Sequence, residues 1–68
     1  MSTPNIGLVV AFDAAVGLGE IERTDGQRFQ FHCIELADGT RTIELSTAVT
    51  FGLLCKLGTY EASTVTRA

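Results

Sequence analysis

The side chains with chemical reach are few: one histidine, His32, two cysteines, Cys33 and Cys55, and the closely spaced carboxylates Glu20 and Glu22. An imidazole can exchange a proton near neutral pH, bond a base edge or ligate a metal. One histidine and two cysteines, with no CxxC spacing, fall short of the closed four-ligand set of a structural zinc site, so no metal is expected. Glu20 and Glu22 alternate along one strand face and read as a solvated acidic surface rather than an acid/base pair. Gly17-Leu18-Gly19 lacks the third glycine and following helix of a dinucleotide fingerprint, so it is turn chemistry. With no Ser, His and Asp arrangement, the chain is expected to have no catalytic residues, to be no enzyme and to need no cofactor.

The elements that must position these groups are strands, because turn residues recur at short, even intervals. Ile6 to Phe12, following Pro4-Asn5, is branched and aromatic and predicts a first strand ending at Asp13. Leu18 to Arg23 predicts a second, with Leu18, Glu20 and Glu22 on one face and Ile21 on the other. Asp25-Gly26 favours a tight hairpin into Arg28 to Ile34, where Phe29, Phe31 and Cys33 alternate with Gln30, His32 and Ile34. A loop from Glu35 to Thr42 centres on Asp38-Gly39. A fourth strand runs from about Ala48 to Leu54, with Val49, Phe51 and Leu53 on one side, and Lys56 and Gly58 mark a turn into a fifth, Tyr60 to Thr66. Five short strands without a helix suggest a small antiparallel barrel, whose closure removes exposed edges.

The 68 residues form one domain, 1–68 with its core at about 5–66, too small for a large enclosed active site. Eight acids against five bases give a net charge of -3 and a pI near 4.8, so no general attraction to phosphate or anionic lipid is expected. Two cysteines are too few for a disulfide-held secreted domain, and a reduced, cytoplasmic protein is expected. The apolar N-terminal stretch has no basic region and is broken by Asp13, so it is not read as a signal peptide; no uncharged stretch is long enough to span a membrane.

Placed in order, these segments resemble a cold-shock domain, the five-stranded OB-fold barrel of bacterial cold-shock proteins. The resemblance covers nearly the whole chain. Residues 7–13 followed by Gly17-Leu18-Gly19-Glu20-Ile21 resemble the family's first two strands and first RNA-binding motif, and Phe29-Gln30-Phe31-His32 resembles its second. Asp38 to Ile43 is similar to the family's long loop, while Val49-Thr50-Phe51, Gly58 and Ala62 to Val65 are similar to its last two strands.

The resemblance implies binding of single-stranded DNA or RNA by stacking bases on exposed aromatics, and it also marks where those aromatics are gone. Ala11 stands for the first-strand tryptophan, Leu18 and Glu20 for two phenylalanines, Gln30 for the stacking phenylalanine, Cys33 for an aromatic and Thr40 for the loop phenylalanine. Val16 replaces a lysine. Phe12 and His32 are retained, and Phe29 and Phe31 fall by alternation on inward positions. The candidate face is therefore Phe12, Leu18, Gln30 and His32, with Phe12 also suited to partial burial and His32 to simple solvation. Each stacked base contributes roughly 1–3 kcal/mol, so affinity should be weak or altered. Arg28, Arg41 and Lys56 are scattered counter-charges. The alternative from a different class is a protein–protein interaction or self-association module on the same barrel, using Ala11, Val16, Leu18 and Ile34 as a modest apolar patch rimmed by Glu20 and Gln30.

Overall fold

The computed structural model describes residues 5–68, the side chain of Lys56 excepted; Pro4 and the Lys56 cation lie outside the described residues. The strands are β1 Asn5–Asp13, β2 Leu18–Arg23, β3 Arg28–His32, β4 Ala48–Lys56 and β5 Thr59–Arg67, with a 3-10 turn at Cys33–Glu35. They make one antiparallel sheet in the order β3-β2-β1-β4-β5. The chain is thus all-β, as its turn spacing predicts. No helix among the described residues is long and apolar enough to cross a membrane.

Alternation sorts the side chains. Val9, Ile21, Phe29, Phe31, Val49, Phe51, Ala62 and Val65 point inward and are buried, joined by Leu36 and Ile43 from the long connection. Phe29, Phe31 and Phe51 are core residues, as expected; the Phe29 and Phe51 rings meet at 5.8 Å between centroids. Leu53 pairs with buried Ala62 and shares the face of Val49 and Phe51, but lies at its open end and is exposed.

Two irregularities bend the sheet. In β1, Val9 pairs with Ile21 and Ala11 with Glu20, which leaves Val10 as an extra residue. In β5, Ser63 pairs with Gly52 and Thr66 with Thr50, so Thr64 and Val65 together face Phe51; Thr64 takes φ 48° there. A bulge of this kind kinks the strand and raises its twist.

Two expectations need correction. The third strand stops at His32 instead of Ile34. Its partner β2 begins at Leu18, opposite His32, so Cys33 finds only a turn carbonyl, donating its N–H to Gly17 O at 2.8 Å. Beyond that β2 offers no further partner and the chain coils, with Leu36 N–H donating to Cys33 O at 3.2 Å. For the same reason the sheet is not closed into a barrel: among the described residues no ladder joins β3 to β5. Their edges meet at a seam made by a parallel bridge, Leu36 to Val65, the Ala37 N–H donating to Val65 O at 2.8 Å and the Thr64 N–H donating to the Glu35 carboxylate at 3.1 Å.

The β2–β3 hairpin turns where Asp25-Gly26 predicts. Gly26 takes φ 90°, and the Gly26 N–H donates to Arg23 O at 2.8 Å. Arg23 organises this end of the sheet: its guanidinium lies 5.0 Å from the centre of the Phe29 ring and donates to Asp25, Gln27 and Asn5. The hydrogen bonds from Arg23, reinforced by the Gln27 N–H, lower the Asp25 carboxyl from its ordinary 3.8 to about 2. A carboxyl depressed in the folded state stabilises above its ordinary value, and that stabilisation fades as pH falls toward 2. Urea unfolding of the wild type and Asp25→Asn is expected to show a stability gap at pH 6 that shrinks steadily between about pH 4 and pH 2; a gap that does not change with pH would contradict this.

Gly19 permits a close approach of a core ring to the backbone. A Cβ there would lie 2.4 Å from the Phe31 ring, which is fully buried and has nowhere to move. Gly19→Ala is expected to destabilise the fold by about 2 kcal/mol in urea unfolding; an unchanged midpoint would mean that the ring gives way.

Candidate nucleic-acid interface

The outward face of β1, β2 and β3 is built in cross-strand rows. Asp13, Leu18 and His32 form one row, Ala11, Glu20 and Gln30 the next, and Leu8, Glu22 and Arg28 a third. Pairing across an antiparallel ladder puts the members of a row on the same side of the sheet. Leu18, Gln30 and His32 are therefore brought together on one surface, with Gln30 and His32 exposed and Leu18 half-buried.

Phe12 does not share that orientation. Its row is Phe12, Gly19 and Phe31, which faces the core, and its half-buried ring stacks on Phe31 with centroids 6.1 Å apart and planes 16° from parallel. The extra residue at Val10 is the cause: it reverses the alternation in the last part of β1, turning Ala11 and Asp13 outward and Phe12 inward. Of the two readings open for Phe12, the partly buried core residue is the one found. Cys33 is half-buried, and Cys55 is exposed; both are free thiols.

An open cleft of about 310 Å³ lies on this face, lined by Ala11, Asp13, Leu18, Glu20 and Gln30, with the strand segments at Phe12 and Gly19 beneath. His32 stands next to it as the row neighbour of Leu18. The four residues of the paired β1 and β2 segments form a quartet in which Asp13 and Glu20 occupy one diagonal and Ala11 and Leu18 the other.

The electrostatics of the face are negative. Arg28 lies 3.3 Å from Glu20 and 3.5 Å from Glu22, so its charge is shared between two carboxylates. Asp13 has no cationic partner among the described residues and accepts the Ala15 N–H at 3.0 Å. The His32 imidazole sits 3.8 Å from the Glu61 carboxylate across the seam to β5. Arg41 makes no ion pair among the described residues, while Arg67 pairs with Asp38.

Compared with protein-family models and with curated proteins, the chain has no match. The face must be judged on its own geometry. No group of three or more His, Cys, Asp or Glu among the described residues is arranged to hold a metal.

Sequence reasoning passed over two residues that shape this surface. Asp13 reads as the end of a strand and gives no sign that it points outward, because the bulge that turns it carries no sequence signature here. Arg28 reads as a free counter-charge, although the acidic alternation of Glu20 and Glu22 opposite it in the hairpin already signals their ion pairs.

The two aromatic-type candidates should separate in stability measurements. Phe12→Ala is expected to cost about 2 kcal/mol, since a half-buried ring loses its stacking partner and apolar contact. His32→Ala, at an exposed site, is expected to stay within about 0.5 kcal/mol of wild type. Equal losses in thermal or urea unfolding would contradict the inward assignment of Phe12.

Proposed function

We propose that this chain is a cold-shock-type, OB-class domain that contacts single-stranded DNA or RNA weakly through the outward face of β1, β2 and β3. The observation that carries the reading is the convergence of Leu18, Gln30 and His32 on one solvent-facing surface of three adjacent strands. The strand order β3-β2-β1-β4-β5, with the two edge strands brought to a seam at Leu36 and Val65, supports the OB-type connectivity. Free cysteines fit a reducing, cytoplasmic setting.

On this face the His32 ring offers a partial platform for one base, Gln30 a donor and acceptor for a base edge, and Leu18 an apolar rest beneath a neighbouring base. Phe12 offers no platform while its ring is stacked on Phe31. Phosphates meet Glu20, Glu22 and Asp13 before they meet a free cation, because Arg28 is already engaged. Binding without a set of stacked bases and with a negative approach is weak.

A second reading, a protein-interaction surface on the same scaffold, is favoured by that charge balance: three carboxylates against one guanidinium suit a protein partner better than a phosphate backbone. The function in either case is binding and not catalysis.

Titration with a heptathymidine at low salt is expected to give a dissociation constant weaker than about micromolar. Gln30→Phe should tighten binding about tenfold by restoring one platform, and His32→Ala should weaken it. Submicromolar binding by the wild type would contradict the weak-binding assignment; no amide shift on this face at millimolar strand would leave the protein-interaction reading in its place.

A further inference from the structure

We propose that the cleft between β1 and β2 receives a lysine or arginine side chain from a basic segment of a protein partner. The proposal rests on the protein-interaction reading of this face and adds the chemistry of the partner.

The quartet at the cleft is the basis. Asp13 and Glu20 lie diagonally across the β1–β2 pair, with Ala11 and Leu18 on the opposite diagonal. Diagonal neighbours in such a pair stand about 7 Å apart, close enough for two carboxylates to approach one cation between them. Leu18 and Ala11 supply an apolar bed at the same place. A lysine or arginine matches both halves together, laying its methylene stem along Leu18 and Ala11 and its charged head between the carboxylates. The acidic half disfavours a nucleic-acid strand because Asp13 and Glu20 repel phosphate, and the apolar half offers a base only Leu18 to rest on, without a stacking ring. Arg28 does not fill the role from within the chain, because it stands in the next row and is held between Glu20 and Glu22. Asp13 has no cationic partner among the described residues, so one arm of the pair is available. The net charge of -3 over 68 residues adds long-range attraction for a basic segment.

The test is an NMR titration of the full chain at low salt with a nine-residue peptide of alternating lysine and alanine, blocked at both ends, and in parallel with heptathymidine. The peptide is expected to shift the amides of Ala11, Asp13, Leu18 and Glu20 first. Asp13→Asn, which keeps an acceptor for the Ala15 N–H, and Leu18→Ser should each weaken peptide binding about fivefold, and Glu44→Gln, at an exposed acid in the long connection, should not. Glu20→Gln serves as the second charge variant if Asp13→Asn unfolds, as judged from amide dispersion. Equal weakening by Glu44→Gln, with shifts spread over all acids, would overturn the proposal in favour of unspecific charge attraction. Heptathymidine shifting the face while the peptide does not would overturn it and leave the single-strand reading standing. If neither probe shifts the face, this proposal and the single-strand reading both fail, and the protein-interaction reading is left only with a partner that is not basic.

Discussion

Phe31 lies against a glycine, and the rest of the sheet is arranged around that contact. Its ring is fully buried beside Gly19, with Phe12 stacked on it from β1, so three strands are locked together by one side chain. Hydrophobic burial drives the approach, and the missing Cβ at Gly19 permits it. The row that faces inward as Phe12, Gly19 and Phe31 fixes the neighbouring rows outward, so Leu18, His32, Ala11 and Gln30 reach solvent because their neighbours are committed to the core. The outward face is thus the reverse side of a packing decision.

That surface carries little that would attract an anion. The hairpin sets Glu20 and Glu22 opposite Arg28, and the pairs formed are exposed, where ion pairs contribute little stability and are screened by salt. Their main effect is to withdraw a cation from any ligand. Arg23, at the far end of the same strand, is withdrawn for another reason, since it covers Phe29 and is held by Asp25, Gln27 and Asn5. The residues that hold the hairpin together therefore also set what this face repels.

Much of the fold was legible from local pattern. Strand positions followed from branched and aromatic runs between turn residues, and the core aromatics from strict alternation in Arg28 to His32. The parts that were not legible share a cause: they depend on contacts distant in sequence. Leu36 and Ile43 are single apolar residues in a polar connection, without period, and become core only because the seam passes over them. The end of β3 is set by where β2 begins, not by anything in Cys33 or Ile34. The outward Asp13 and inward Phe12 follow from one extra residue at Val10, in a run of apolar residues that shows no break. Of the candidate face, Leu18, Gln30 and His32 were legible because the hairpin fixes their parity; the partial burial of Phe12 was legible too, but its inward direction was not, because that depends on the bulge.

The two ends of the described chain meet on the same stretch of β4: Asn5 lies opposite Phe51 on one side, and Arg67 opposite Val49 on the other. With one strand between them, they stand about 10 Å apart. A short linker could therefore join Asn5 to Arg67 across β4 without disturbing a strand. New termini could then be opened in the exposed connection near Gly39, far along the chain from the hairpins that set the face. A circularly permuted version would carry the same cleft on a different backbone order, making surface chemistry and chain connectivity separable properties of this small sheet.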